Sequence, residues 1–216
     1  MNIGILGTGV VGETLATKLV QLGHSVKMGS REKTNNKAAA WVKGNGARAS
    51  SGSFEDAASF GEIVFNCTHG VASLDALKSA GARNLKNKIL VDVANALDFS
   101  KGMPPSLSIC NTDSLAEQIQ RAHPEAKVVK ALNTVNAGLM VNPSSVNHGD
   151  HDLFICGNDE GAKKTVTDLL KKEFGWKSVI DVGDITAARA TEMLLPFWVR
   201  LMGKYQSPAF NFKIVR

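Results

Sequence analysis

A glycine-rich turn at the start of the chain constrains the fold more than any other feature. The apolar segment Asn2–Leu6 has the length of a buried strand, and the residues that follow the turn place Leu15, Leu19 and Leu22 on one face of a helix. Between strand and helix stand Gly7, Thr8, Gly9, Val10, Val11 and Gly12. In such a Gly-x-Gly-x-x-Gly turn the first glycine permits the tight turn, the second lets a pyrophosphate approach the backbone, and the third lets helix and strand pack closely. The pattern therefore predicts a dinucleotide-binding unit.

Apolar runs of strand length alternate with helical segments through most of the chain. Strands are predicted over 25–28, 62–67, 88–93, 127–132, 152–156 and 178–182, and helices over 37–43, 54–60, 72–80, 114–122 and 160–174. Ser53 and Asp56 have the spacing of a capping box at the start of one helix. The strands are rich in Ile, Val, Leu and Phe, as a sheet covered on both faces requires. The alternation predicts an α/β fold with a doubly wound, mostly parallel Rossmann sheet.

The segment from residue 185 onward departs from this alternation. A long apolar helix is predicted over 185–202 with Pro196 inside it, where a kink is expected, and the tail carries Pro208, Phe210 and Phe212. No Gly- or Ser-rich linker precedes it. We therefore expect residues 1–184 to form the dinucleotide-binding domain, and residues 185–216 to form a C-terminal helical extension packed on that domain or at a dimer interface. The apolar run over 193–199 favours a homodimer.

Composition narrows the class of partner. The 216 residues include 25 Lys and Arg and 20 Asp and Glu, a net charge of +5, and the basic residues are dispersed. Nucleic-acid binding is therefore disfavoured, and a small anionic ligand fits better. No apolar run approaches the roughly 20 residues of a membrane span, and the N-terminus lacks the basic segment of a signal peptide. The three cysteines show no Cys-x-x-Cys spacing, which predicts free thiols in a cytoplasmic protein without a membrane partner.

The end of the second strand indicates which dinucleotide is bound. A site for NAD usually places Asp or Glu here to bind the ribose. This chain has Ser30 and Arg31 instead, followed closely by Lys33. A carboxylate would repel a 2′-phosphate, whereas a hydroxyl and a guanidinium bind it. The three residues therefore predict NADP(H), the alternative being an ordinary solvated turn.

Short motifs spread along the chain carry a family resemblance. They lie at residues 7–12, 29–31, 130–137, 156–159, 181–184 and 192–196. In this order they resemble the NADP oxidoreductases that depend on coenzyme F420, a deazaflavin, within the wider 6-phosphogluconate-dehydrogenase-like group. Relatives in this group pass hydride from NADPH to flavin, and they include the cytosolic domain of membrane metalloreductases.

The resemblance implies where the cofactor lies. NADP(H) would cross the carboxyl edge of the sheet, and the residues implied to flank it are Thr68, His69, Gly70, Ala94, Asn95 and Asn133. The nicotinamide end and its acceptor would be lined by Thr134, Val135, Ala137, Leu195 and Pro196. For the last two residues, packing alone is the alternative.

One departure from the family pattern bears on the acceptor. Archaeal members carry His-Thr-Ile-Pro-Ala where this chain has Asn-Thr-Val-Asn-Ala over 133–137, so an imidazole and a proline are lost. The resemblance therefore supports NADPH more firmly than the deazaflavin. The expected reaction is hydride transfer between NADP(H) and a small-molecule acceptor, either coenzyme F420 or a flavin (FMN or FAD). The cofactors carry the reactivity, so no catalytic acid or base is expected from the chain.

Two other functions share the same fingerprint. A non-catalytic sensor of NADP(H) would need the same glycine turn and the same Arg31. A dehydrogenase of small hydroxy acids would need a Lys or His paired with a carboxylate as general base, and no such pair is identified. The apolar residues over 133–137 favour an enzyme, because they suit a second planar ring beside the nicotinamide.

Histidines and cysteines offer weaker candidates. His148, Asp150, His151 and Asp152 could suggest a metal cluster, but they fall in a turn with no helix to align two imidazoles. A solvated loop without a metal is predicted there. Cys67 and Cys156 lie at apolar strands, which predicts buried, inert thiols.

Overall fold

Ten strands and nine α-helices alternate along the chain in the computed structural model, which describes residues 1–216. The strands are β1 (Asn2–Leu6), β2 (Ser25–Ser30), β3 (Ala49–Ser53), β4 (Ile63–Asn66), β5 (Ile89–Asp92), β6 (Leu97–Asp98), β7 (Ser106–Leu107), β8 (Lys127–Ala131), β9 (Asp152–Gly157) and β10 (Ser178–Asp181). The helices are α1 (Val10–Gln21), α2 (Asn36–Asn45), α3 (Phe54–Phe60), α4 (Ser73–Ala80), α5 (Ala82–Leu85), α6 (Leu115–Ala122), α7 (Ala137–Val141), α8 (Glu160–Lys172) and α9 (Ala188–Tyr205).

Eight of the strands form one sheet in the order β10-β9-β8-β5-β4-β1-β2-β3. All neighbouring pairs are parallel except β8 and β9, which run antiparallel with Lys130 opposite Cys156. The chain leaves β1 for β2 and β3 on one side and then returns to build β4 and β5 on the other. This reversal creates a crevice at the carboxyl ends of β1 and β4, where sheets of this kind bind ligands.

Both faces of the sheet are covered by apolar side chains. One core cluster packs α1, α2 and α8 on the first face and includes Leu15, Trp41 and Val166. The second packs α3, α4 and α6 on the opposite face and includes Leu77 and Ile119. A sheet buried on both faces explains why its strands are continuous apolar runs. The predicted doubly wound α/β fold is confirmed.

Several short elements were not predicted. The edge strand β3 reads Ala-Ser-Ser-Gly-Ser and pairs with β2, although it contains no β-branched or aromatic residue. The hairpin of β6 and β7 and the five-residue helix α7 also follow no strong local pattern. The predicted capping box is confirmed. The Ser53 backbone N–H donates to Asp56 at 2.9 Å, and the Asp56 N–H donates back to the Ser53 hydroxyl at 3.1 Å.

The C-terminal extension folds back on the rest of the molecule. Helix α9 starts three residues later than predicted, after a 3-10 turn, and it continues through Pro196 to Tyr205. The tail then stacks on it, with ring centroids 5.2 Å apart for Trp198 and Phe210 and 6.0 Å apart for Phe197 and Phe212. No helix in the structure is both long enough and apolar enough to cross a bilayer.

The prediction of a solvated loop at 148–152 is wrong for His151. Its side chain is buried, its Nε2–H donates to the Pro143 carbonyl at 2.9 Å, and its ring packs edge-on against Trp176. The Nδ1 atom accepts a hydrogen bond from Asn211 of the returning tail. The histidine is buried because a segment 60 residues away covers it, which local sequence cannot show. His148 is exposed, and the structure brings no group of three or more His, Cys, Asp or Glu together as metal ligands.

Candidate functional site

The three glycines of the first turn have the backbone environments that their spacing predicts. Gly7 has a φ of 121°, and a Cβ there would lie 2.6 Å from the Cys67 carbonyl oxygen. A Cβ on Gly12 would lie 2.3 Å from the Gly7 carbonyl oxygen, so helix α1 and its turn pack too closely for any side chain. A Cβ on Gly9 would meet nothing within 4 Å. The backbone at Gly9 therefore faces open space, where a phosphate can approach.

Helix α1 presents its N-terminus to this open space. The helix starts at Val10, and its N-cap residue Gly9 provides no side-chain hydrogen bond. The first backbone N–H groups of the helix therefore have no partner within the turn, and they carry the positive end of the helix dipole. This combination binds anions such as a pyrophosphate.

Two adjoining cavities follow the carboxyl edge of the sheet, with volumes of about 750 and 200 Å³. They share Val11, Cys67, Thr68 and His69, so they form one groove. The predicted site residues that line the larger cavity are Gly7, Thr8, Gly9, Val10, Val11, Arg31, Thr68 and His69. The predicted residues in the smaller one are Val11, Thr68, His69, Gly70, Ala94 and Asn95.

The remaining predicted residues lie outside the walls of both cavities. They are Gly12, Ser30, Lys33, Asn133, Thr134, Val135, Ala137, Leu195 and Pro196. Sequence reasoning also missed several wall residues, namely Phe54, Ala72, Asp75, Ala76 and Ser79 in the larger cavity and Val93, Leu97 and Phe99 in the smaller. Phe54 directly follows the capping box at Ser53, which could have placed it near the end of β2. Phe99 has no local signal, because the hairpin that carries it was not predicted.

The larger cavity ends at Arg31, directly after β2. The Arg31 side chain is exposed and belongs to the wall. Ser30 is buried, and its hydroxyl donates to the Glu32 carbonyl at 2.5 Å. Ser30 therefore holds the shape of the turn, and Arg31 is the one strong anion-binding side chain in this wall. Lys33 is exposed and does not line the cavity.

A buried polar network fixes the loop after β4. Asn66 donates through Nδ2 to Asp92 at 2.8 Å and to the Ser73 hydroxyl at 3.1 Å. Its Oδ1 accepts from the Thr68 hydroxyl at 2.6 Å. Thr68 therefore enters the groove wall in a fixed orientation. Asn66 and Ser73 were missed because one lies within an apolar strand and the other begins a helix, where neither stands out.

An amide pair joins the two loops at the far end of the groove. Asn95 donates through Nδ2 to the Asn133 carbonyl at 2.9 Å, and Asn133 donates back to Asn95 Oδ1 at 3.0 Å. Asn133 also donates to the Thr191 carbonyl of α9 at 3.1 Å. The chain enters this loop through Leu132, which is fully buried with a φ of 65°. A bulky residue in the left-handed region is rare, and it marks a backbone held in place by its surroundings.

Thr134 carries a polar atom that the chain leaves unpaired. Its side chain is 1% exposed, and its hydroxyl has no hydrogen-bond partner. Buried hydroxyls are normally paired, so the Thr134 hydroxyl is an exception within this loop. Val135 is buried in the core, and Ala137 is half-buried at the start of α7. Leu195 is buried one helical turn beyond Thr191, and Pro196 is half-buried beside it.

A lysine and two carboxylates form a buried cluster beneath the groove. Lys130 Nζ lies 2.8 Å from both Asp92 Oδ2 and Glu192 Oε1, and the three side chains are 0–1% exposed. Burial alone would lower the pKa of Lys130, but the two carboxylates outweigh it and hold this pKa above its ordinary value. A Lys–carboxylate cluster therefore exists that the sequence did not reveal. It is sealed from the groove, so it cannot act as a general base toward a substrate.

The two cysteines at apolar strands are poor nucleophiles. Burial raises the pKa of the Cys156 thiol to about 12, and burial together with Asp92 raises the pKa of Cys67. Both thiols are therefore protonated at neutral pH, as predicted for inert cysteines. Cys67 contributes to the groove wall as an apolar side chain.

A family model and two curated proteins match this chain. The family model described as NADP oxidoreductase, coenzyme F420-dependent, matches residues 2–96. The F420-dependent NADP reductase of Methanocaldococcus jannaschii is 33% identical over 99% of this chain and 98% of its own. The metalloreductase STEAP3 of Rattus norvegicus is also 33% identical, over 91% of this chain, although the match spans only 38% of that protein.

Solved structures show the same fold. A crystal structure of a candidate F420-dependent NADP reductase from Arthrobacter sp. FB24 superposes with a TM-score of 0.94 at 51% identity, covering 99% of both chains. A reductive aminase from Aspergillus terreus shares the fold at 16% identity with a TM-score of 0.67 over 95% of this chain and 62% of its own.

Proposed function

This chain belongs to the family of coenzyme F420-dependent NADP oxidoreductases, and we propose that it transfers hydride between NADP(H) and a deazaflavin or flavin. The observation that carries the proposal is the groove that runs from Arg31, past the open backbone of Gly9, to Ala94 and Asn95. It has an anion-binding side chain at one end and a mainly apolar chamber at the other. The three free cysteines suit a reducing compartment, which supports a cytoplasmic enzyme.

The residues present fit the cofactor. The uncapped N-terminus of α1 and the open backbone at Gly9 would hold the pyrophosphate, and Arg31 would hold the 2′-phosphate. When bound, the cofactor supplies a hydride that takes an electron pair from its dihydronicotinamide ring to the acceptor ring, while solvent supplies the accompanying proton. The chain's own part is to hold both rings in contact and to exclude water from between them.

The acceptor is the part of the function that needs an experiment. We propose an anaerobic turnover screen that offers NADPH together with coenzyme F420, FMN, FAD or a ferric chelate. Oxidation of NADPH with the deazaflavin or a flavin is expected. Tight binding of NADPH without turnover of any acceptor would favour the sensor instead. The absence of an imidazole at Asn133, whose Nδ2 donates to Asn95 and to the Thr191 carbonyl, favours a flavin over the deazaflavin.

Arg31 is expected to select NADPH over NADH. Arg31→Ala removes the guanidinium that the cavity wall offers to a 2′-phosphate. A charge-assisted hydrogen bond contributes roughly 1.5–3 kcal/mol, so NADPH binding should weaken about tenfold to a hundredfold, while NADH binding changes little. Titration of both cofactors at one ionic strength measures this, because exposed contacts are screened by salt.

Lys33→Ala is the matched control for this test. It removes a positive charge two residues away that does not line the cavity, so its effect on NADPH binding should be much smaller. A wild type that binds NADH as tightly as NADPH would contradict the assignment, as would equal weakening of both cofactors by Arg31→Ala.

We also propose that the protein is a homodimer built with α9 and the tail. The tail covers part of the apolar surface of α9, yet several large apolar residues of the extension stay exposed, namely Met193, Phe197, Tyr205, Ile214 and Val215. Sedimentation should give a dimer, and Phe197→Glu should shift it toward monomer. Leu22→Glu, directly after α1, is the control that should leave the dimer intact. A wild type that stays monomeric at all concentrations rules the dimer out.

A further inference from the structure

The buried cluster of Asp92, Lys130 and Glu192, here called the triad, carries a net negative charge. Asp92 accepts hydrogen bonds from Asn66, the Ala94 backbone N–H and Lys130. Glu192 accepts from Lys130 and from two backbone N–H groups at the start of α6. Every hydrogen-bond partner of the two carboxylates is a donor, so neither has an acceptor for a carboxyl proton. Two carboxylates against one ammonium leave a charge of −1.

The triad lies directly behind a residue that lines the smaller cavity. Ala94 lines that cavity, and the triad holds both of its backbone groups, since Lys130 donates to the Ala94 carbonyl and Asp92 accepts from the Ala94 N–H. Glu192 follows Thr191, whose carbonyl binds Asn133. The charge is therefore buried directly behind the wall at Ala94 and Asn95.

We propose that the triad lowers the reduction potential of the bound nicotinamide and so favours NADPH as the hydride donor. The inference rests on the proposed function, in which the nicotinamide end of the cofactor occupies the smaller cavity. The oxidised ring carries one positive charge and the reduced ring carries none. A net negative charge behind the wall therefore stabilises the oxidised form alone. The chain gains this effect without any contact between the triad and the cofactor.

Replacing one carboxylate of the triad by an amide changes the charge behind the cavity wall by one unit. Lys130 and the N-terminus of α6 offset part of the negative charge in the wild type, but they remain when Glu192 becomes glutamine. At a separation of roughly 10 Å and an effective dielectric constant of about 20, one unit charge changes the affinity for a monovalent cation by about tenfold. The reduced cofactor should not respond to this change at the nicotinamide end.

The test is the ratio of the dissociation constants of NADP⁺ and NADPH, measured by titration at one ionic strength. Glu192→Gln should raise this ratio about tenfold, which for a two-electron couple corresponds to about 30 mV. Asp92→Asn removes the same charge from the other side of Lys130 and should raise the ratio in the same direction. Loss of packing or of helix position would weaken both cofactors together and leave the ratio unchanged.

Two further variants separate charge from structure. Glu192→Asp shortens the side chain but keeps the charge, so its ratio should stay close to that of the wild type. The double variant Lys130→Met with Glu192→Gln disrupts the triad more than either single carboxylate variant, yet its net charge is again −1, carried by Asp92. Its ratio should return toward the wild-type value.

Failure of the electrostatic role of the triad and failure of the proposed function give different results in these titrations. If the wild type binds neither NADP⁺ nor NADPH, the proposed function fails. If both bind and the ratio is unmoved in Glu192→Gln and Asp92→Asn, the proposed function stands and the electrostatic role of the triad is overturned. A double variant whose ratio departs further than that of Glu192→Gln would likewise overturn it.

Discussion

Replacing Lys130 by methionine is expected to lower the free energy of unfolding by about 3–5 kcal/mol. The substitution keeps the length of the side chain but leaves Asp92 and Glu192 facing each other across a site that is 0–1% exposed. Two buried carboxylates without a cation repel each other and cannot be solvated. For a chain of about 200 residues, such a loss lowers the melting temperature by roughly 10 °C, which denaturation by heat or urea can measure.

Lys163→Met is the matched control for this prediction. Lys163 also bridges two carboxylates at 2.8 Å and is 5% exposed, but its partners Glu160 and Asp181 are 83% and 44% exposed. Water can solvate both carboxylates when the lysine is lost, so the expected loss is at most about 1 kcal/mol. Equal effects of the two lysine variants would show that the triad is no more costly to break than a surface ion pair.

Adding Glu192→Gln to Lys130→Met should recover part of the lost stability. The second substitution removes one of the two repelling charges, so the two changes should be strongly non-additive. The same double variant tests the charge of the triad in cofactor binding. The same double variant therefore tests both the contribution of the triad to stability and its effect on cofactor binding.

The triad shows where sequence reasoning stops. Asp92 and Lys130 close or interrupt apolar strands, where a charged residue normally marks a strand end in solvent. Their partnership depends on β5 and β8 being neighbours, and Glu192 joins from a helix 62 residues further along the chain. Glu192 belongs to one of the motifs that carry the family resemblance. No local sequence pattern, however, indicates which groups its carboxylate binds.

The parts of the fold that were predicted are those with local causes. The turn at 7–12 and the capping box at Ser53 depend on residues that lie within a few positions of each other, and both have the expected geometry. The strands of the sheet interior can be predicted from their composition, because they are short runs of apolar residues. By contrast, β3 is a strand only because the open edge of β2 accepts it, and five small residues give no sign of that pairing.

The C-terminal tail shows the same limit at longer range. The sequence predicts that the tail packs on the domain or at a dimer interface, and in the structure Phe210 and Phe212 stack on α9 within the same chain. The Phe212 carbonyl also accepts from the Asp152 N–H at 2.9 Å, at the start of β9. A tail that returns in this way buries His151 and reduces, without removing, the apolar surface left for a second subunit.

Enlarging the side chain at residue 137 is expected to slow hydride transfer about a hundredfold. The hypothesis is that Val135 and Ala137 set the distance between the nicotinamide and acceptor rings, and a displacement of about 1 Å can cost on the order of a hundredfold in rate. Val135→Phe would test this, but Val135 is buried in the core, so a larger residue there also strains the packing by about 1–3 kcal/mol. Ala137 is half-buried at the first residue of α7, so Ala137→Phe is the cleaner variant.

A graded series at Ala137 separates ring distance from general damage. Ser, Val and Phe at this position increase in volume, and the rate of hydride transfer should fall in that order. NADPH binding should change little, because the phosphate contacts lie at Arg31 and the N-terminus of α1, at the other end of the groove. NADPH deuterated at the transferred position should give a larger isotope effect on turnover as the hydride step becomes limiting. If all three variants turn over a validated acceptor at the wild-type rate, the acceptor ring binds away from residues 135–137.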